Sequence, residues 1–369
     1  MSCATTSTRG IETRIGVGGR DWSAVLRSLA PSSRDIYFTP EYHNLHQLNG
    51  DGEAFSSIAQ EGSKTLIVAG MRSRIDETAE SCNKSWDLET CNGYGGPVAS
   101  PDADREFLAQ AWEEWKGACR RAGMVAAFFR LHPLLNNALL LPADAEVRAE
   151  RKTVFVDLSE GAGKPWRAAC SQHRNMVNKG AREGVTVRWN EPADWDAFAP
   201  LYAEAMLRVN APGRLRFSQQ YFRNLRSLPG VELAAVRRGT SLASGAVFLS
   251  GELWGHYHLS ARSADSPNYL MNCILQTAFE RAAANGLQGM HLGGGKTAVP
   301  EDSLLKFKAA SGGQLLDFCV ALVVANRKAF DGLCERWKRQ TGSSPSWLLG
   351  YRQPLSGPSG TNGEMTGCL

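Results

Sequence analysis

His256 and His258, in the segment GHYHLS, are the first residues here whose type and spacing allow chemistry. On a strand, positions two apart share a face, so both imidazoles would point one way and Tyr257 the other. No third ligand of suitable spacing accompanies them, so no metal is expected. A buried pair bonded to neighbouring carbonyls is the plainer reading, with one face of the strand lining a cleft as the functional one. Lys308 follows Phe307 in LLKFKAASGG, just ahead of the turn at 311–313. Most lysines are solvated surface charges, but a fixed cation here would suit acyl transfer, in which negative charge grows on a carbonyl oxygen. Asp302 precedes this stretch and reads as the cap of a short helix.

Two glycine clusters stand out. Gly293–Gly295 follow the apolar run MHL, and glycines at a strand end let backbone approach a ligand closely. Gly294 is therefore a candidate substrate contact. The phosphate-loop spacing G-x-x-x-x-G-K-[ST] fails because Met290 stands where its first glycine belongs. A tight turn beside a substrate cleft is the reading that remains. The segment CNGYGGPV, at 91–98, has more glycine than a simple turn requires, with Tyr94 as an aromatic wall carrying a hydroxyl. Tyr94 and Gly95 are expected to line a substrate. Arg174 and Lys179 in HRNMVNKGAREG, with Arg208, Arg214 and Arg216 further on, are individually ordinary surface charges. Together they make this half of the chain a plausible host for phosphates.

These residues need elements to hold them. The periodicity predicts helices over 22–29, 104–122, 166–183, 195–209, 218–227 and 269–285, the last stopped by Gly286. Apolar or alternating runs predict strands at SKTLIVAGMRSR, MVAAFFRLHP, TVFVDLS and VTVRW. VELAAVRRG, SLASGAVFLSG and ELWGHYHLSA read as a meander, QGMHLGG as the strand after its crossover helix. The intermixing is α+β. Residues 15–150 and 151–352 have similar grammar and are expected to be two domains of one fold, mixed sheets flanked by helices. The end of the second half could pack back on the first. Residues 1–19 and 353–369, rich in Ser, Thr and Gly, read as frayed or flexible.

The 369 residues suit two cores, and 43% hydrophobic with 21% charged residues is ordinary globular composition. A net charge of +4 is low for a dedicated DNA binder. The nine cysteines form no C-x-x-C pair, as expected for scattered thiols in a reducing cytoplasm. No apolar run approaches a membrane span and none precedes the first basic residues as a signal would, so a cytoplasmic protein is expected.

The order strand, loop, helix, strand, glycine turn over 253–313 is similar to the core of the Gcn5-related N-acyltransferases (GNAT). GYGGPV, HRNMVNKGAREGV, LYAEAMLRVNAPGRLRFSQQYFRNL, WGHYHLSA, HLGGG and LLKFKAASGG together resemble the Fem-like family, over about residues 35–351. That resemblance implies two tandem GNAT-like domains and transfer of an amino acid from aminoacyl-tRNA to an amine, with no metal and no resident cofactor. It implies that Lys308 steadies charge at the aminoacyl ester, and that Arg208 and Tyr257 contact the acceptor. Arg174 and Lys179 would meet tRNA phosphates. The segment TPEYHNLHQL lacks the lysine that grips a pyrophosphate in cell-wall members, and no coiled-coil arm is present. Both departures favour a small amine acceptor, as in members of antibiotic biosynthesis, over a peptidoglycan precursor. An acyl-CoA is the alternative donor, but SARSADSPNY, ahead of the 269–285 helix, has none of the glycines that cradle a pyrophosphate. A module that only binds a ligand is the third reading.

Overall fold

The computed structural model describes residues 4–8, 10–75 and 85–355. The tail expected over 353–369 lies, from residue 356 on, outside the described residues, as do Cys3, Cys82 and Cys368. The described chain forms two compact units. One is built from residues up to Glu150 together with those from Phe318 onward, the other from Arg151–Asp317.

In the first unit, strands Glu53–Glu61, Lys64–Arg74 and Trp86–Glu89 form an antiparallel meander. Helix Arg105–Arg121 crosses over, and strand Met124–Arg130 returns parallel to Trp86–Glu89. Strand Gln314–Val324 then pairs antiparallel with Met124–Arg130. Trp112 and Trp115 of the crossover helix are buried in the core on one face of these strands, edge to face at 5.0 Å. Their indole N–H groups donate to the Leu140 carbonyl and the Ser57 hydroxyl, so neither ring buries an unmet donor. The second unit repeats this order. Val231–Arg238, Ser241–Ser250 and Trp254–Arg262 form the meander, and helix Tyr269–Ala284 the crossover. Gly289–Gly294 returns parallel to Trp254–Arg262, and Glu146–Asp157 pairs antiparallel with it. The first unit thus takes its last strand from a segment that follows the second unit in sequence. That pairing is why the segment from Phe318 onward, including helix Arg327–Thr341, belongs with the first unit rather than continuing the second.

Three local differences from the sequence reading have physical reasons. Residues 4–8 and 11–15 are strands rather than frayed chain, because Ile11, Thr13 and Ile15 alternate inward and pair along Glu53–Glu61. The aromatic stretch after Asp35 contains a helix, Pro40–Asn49. Thr39 caps it by accepting from the Tyr42 N–H, Pro40 opens it, and Gly50 closes it at φ +87°. The helix read over 166–183 is two, Gly163–Ala168 and Ser171–Arg182. Between them the Cys170 N–H turns to the Ala310 carbonyl at 3.0 Å. A tertiary hydrogen bond therefore replaces the helical one, and it places His173 in the first turn of the second helix. No described helix is long and apolar enough to cross a membrane.

Candidate functional site

The parallel pairing of Trp254–Arg262 with Gly289–Gly294 covers only Trp254–His256 against Gly289–His291. Beyond these residues the two strands are no longer paired. Two residues later His258 is bulged out of the ladder, since Val247 and Phe248 oppose Leu259 and Tyr257. A bulge re-aims the strand that carries it. Strict alternation would put Ser260 and Arg262 opposite Tyr257, whereas all three line one cavity of about 710 Å³ within the second unit. The remaining wall comes from Gln172, His173 and Met176, from Asn268, Met271 and Asn272, and from Lys296 with residues of the Ser303–Ala310 stretch. The helices Ser171–Arg182 and Tyr269–Ala284 meet closely because Gly180 has no side chain. A Cβ there would lie 2.2 Å from Cys273 Sγ.

Behind Tyr257 lies Lys308, whose side chain is completely buried. Its ammonium donates to the Gly294 carbonyl at 2.7 Å and sits 5.6 Å from the centre of the Tyr257 ring. A carbonyl and a π face both stabilise a cation that burial would otherwise disfavour. The three glycines explain themselves through this arrangement. Gly293 has φ +73°, Gly294 presents its carbonyl to Lys308, and a Cβ on Gly295 would lie 2.4 Å from the Asp302 carboxylate. Asp302 caps the helix Ser303–Ala309, accepting from the Leu304 and Leu305 N–H groups, and also takes the Thr297 N–H. Loop and helix are thereby fixed together, with Lys308 in the helix's last turn.

Burial holds the Tyr257 phenol up at about 12, against a smaller opposing effect of the Ser260 hydroxyl. Tyr257 therefore stays protonated near neutrality. Burial, with the neighbouring Arg174 charge, lowers His173 to about 4. In the first unit burial lowers His43 to about 4, despite its contact to the Thr39 carbonyl and with help from His46. A histidine lowered in the folded state takes up its proton first in the unfolded chain. Stability is therefore full above about pH 6.5 and lost as pH falls toward about 4, His43 contributing on the order of 3 kcal/mol and His173, beside the cavity, less. Urea midpoints should accordingly drop between about pH 7 and about pH 5. An unchanged midpoint over that range would contradict the two buried neutral imidazoles.

The structure brings together Tyr257, Lys308 and Gly294, though Lys308 reaches the cavity only through the Tyr257 ring. Arg208 is exposed and off the cavity wall, where its guanidinium donates to the backbone carbonyl of Arg262 at 2.6 Å. Arg174 donates to the Ala169 carbonyl, and Lys179 lies over the Tyr269 ring at 5.0 Å and 3.8 Å from Glu183. Tyr94 and Gly95 belong to the first unit. Tyr94 is buried against Tyr37, His132 and Phe318, and a Cβ on Gly95 would lie 2.4 Å from the Thr90 side chain. The glycines of GYGGPV are thus accounted for by packing: Gly93 and Gly96 have φ +112° and +96° and would strike Tyr37 and Asn137. His256 stacks edge-on to His291, and His258 meets the Tyr221 hydroxyl at 3.4 Å. His173 and Asn272 were missed by sequence reasoning. Both sit on helices that had been recognised, but no spacing connects residues 99 positions apart.

Neither a protein-family model nor a curated protein matches this sequence. Solved structures do. FemX superposes with a TM-score of 0.67 at 13% identity, covering 85% of this chain and 98% of its own. L-PGS from Bacillus licheniformis gives 0.56 at 14% identity, covering 84% and 93%. The C-terminal domain of a putative lysylphosphatidylglycerol synthetase from Agrobacterium fabrum gives 0.51 at 18% identity, covering 84% and 91%. The fold is that of the Fem-like, tandem GNAT-type proteins, α+β as expected. At these identities the likeness is one of fold.

Proposed function

We propose that this chain is an acyltransferase that moves an amino acid from aminoacyl-tRNA to the amine of a small acceptor, as in antibiotic biosynthesis. The observation that carries the proposal is the cavity beside the unpaired half of Trp254–Arg262, with its buried Lys308–Tyr257 pair. Arg262, Lys296 and Lys306 stand on its wall, and among the described residues no carboxylate does. Such a wall suits a ligand that brings phosphates. The turn before Tyr269–Ala284 supports a donor other than acyl-CoA. Arg262 donates to the Ser263 and Ser266 carbonyls inside it. The Leu270 and Met271 N–H groups already donate to Pro267 and Asn268. Two of the amides at the start of this helix are thus engaged within the chain rather than offered to a pyrophosphate.

In the reaction the acceptor nitrogen attacks the ester carbonyl, a C–N bond forms, and the ester C–O bond breaks. The amine's proton ends on the departing ribose oxygen. The ester is already activated, so positioning and charge stabilisation supply most of the acceleration. Lys308 lends positive charge from behind Tyr257, while Arg208 fixes the backbone of Arg262 and so the rim of the cavity. Arg174 and Lys179 of the helix Ser171–Arg182 are the proposed tRNA phosphate contacts. The cations on the wall would also accept the phosphates of an acyl-CoA, which is the second reading. Transfer supported by mixed charged tRNAs should vanish on ribonuclease treatment. Transfer from an acyl-CoA that survives ribonuclease would favour the second reading.

A further inference from the structure

The buried group left without an assignment at this cavity is His173. Its Nδ1 lies 2.9 Å from the Asn272 side-chain nitrogen, the residue is 1% exposed, and its Nε2 has no hydrogen-bond partner among the described residues. The residue is nonetheless part of the cavity wall. An amide N–H can only donate to a ring nitrogen that carries a lone pair, so the Asn272 amide, placed with its nitrogen toward the ring, assigns Nδ1 as the unprotonated one. The proton of the neutral imidazole is then on Nε2, as an unsatisfied donor. A buried donor without a partner costs about 1–3 kcal/mol, and native structures retain few. One that lies on a cavity wall, fixed in its tautomer from behind, has the form of a ligand contact.

We infer that His173 is a substrate-binding hydrogen-bond donor, whose Nε2–H, set by Asn272, receives an uncharged or oxyanionic oxygen of the bound acyl group. The donor role is independent of the tRNA reading, and only the identity of the oxygen, the acyl carbonyl, rests on it. His173 keeps its proton throughout. It supplies a neutral donor where charge grows, and its neutrality is what prevents it from trapping that charge as a tight ion pair. The charged and titratable groups around it are consistent with a neutral ring. Arg174 adjoins it on its own helix, and Cys170 accepts its backbone N–H. Tyr257 and Arg262 face the cavity from the strand, with Lys296 and Lys306 across it. None of these is a carboxylate that would hold an imidazolium.

The test uses the full chain labelled with 15N-histidine, with a His173→Phe variant to identify the resonance among the seven histidines. The free protein near neutrality should show a neutral ring protonated at Nε2. Two probes are then added separately, a non-hydrolysable 3′-aminoacylamino-3′-deoxyadenosine and acetyl-CoA. Whichever binds by calorimetry should move the Nε2–H signal of His173 downfield, and the His173→Phe variant should bind it at least ~10-fold more weakly, as loss of a donor to an acceptor oxygen implies. His173→Gln, which restores an N–H donor, should recover most of that binding. Binding of acetyl-CoA alone, with the His173 shift, removes the tRNA reading and leaves this one standing. An Nδ1–H tautomer, an imidazolium, or probe binding that leaves the His173 signal unmoved overturns the donor role. Binding of neither probe overturns both readings together.

Discussion

Replacing Lys308 with methionine is expected to lower single-turnover transfer by about 10²–10³-fold, with substrate affinity changed far less. The residue's value lies in the charge it places behind Tyr257, which matters when the carbonyl oxygen becomes negative rather than when substrate binds. The sequence alone would let Lys308→Ala act on turnover with little effect on folding. The structure changes that expectation. Lys308 is wholly buried and donates to the Gly294 carbonyl, so alanine leaves both a void and an unmet acceptor. Alanine should cost about 2–4 kcal/mol, enough to confuse lost activity with lost fold. Methionine fills the volume and leaves the Gly294 carbonyl unmet, at about 1–3 kcal/mol. A thermal melt beside the rate measurement separates the two effects. A folded Lys308→Met protein with wild-type turnover would remove Lys308 from the mechanism.

The second large effect is expected at Gly180, which has no side chain and no chemical role of its own. A Cβ there falls 2.2 Å from Cys273 Sγ, so alanine must displace that buried sulfur or push apart the helices Ser171–Arg182 and Tyr269–Ala284. Overpacking of this kind costs about 1–3 kcal/mol. The same movement loosens the His173–Asn272 contact and changes the cavity wall, so transfer should fall together with the urea midpoint. Combining Gly180→Ala with Cys273→Gly removes the obstructing sulfur. The pair should be more stable than the sum of the two single changes predicts, by a coupling of about 1 kcal/mol. Additive effects would show that these helices do not depend on that contact.

Much of this arrangement is legible in the sequence because it rests on local chemistry. The meander, the crossover helix stopped at Gly286 and the Asp302 cap follow from periodicity and capping residues over a few positions. Tyr257 and Lys308 are legible as residues, but not as a pair, because only the fold brings a strand and a helix turn 5.6 Å apart. The bulge at His258 is invisible to alternation, and it decides that Ser260 and Arg262 share the cavity with Tyr257. The GYGGPV segment has a packing reason that the sequence does not show. Its glycines look like a binding loop, and packing against Tyr37, Thr90 and Asn137 accounts for them. The end of the chain is only partly legible, for a topological reason: the sequence leaves room for it to pack back on the first unit, but nothing local in DFCVALVVA says that its strand completes that unit.

The central claim is that the donor is a charged tRNA and the acceptor a small amine. The most direct measurement gives the purified protein a mixture of tRNAs charged with isotopically labelled amino acids, together with a pool of small amines. Products are then read by mass spectrometry. The account predicts a labelled amide whose formation is abolished by ribonuclease and is lost in Lys308→Met. An amide formed equally well after ribonuclease treatment, with the acyl group drawn from acyl-CoA, would contradict it.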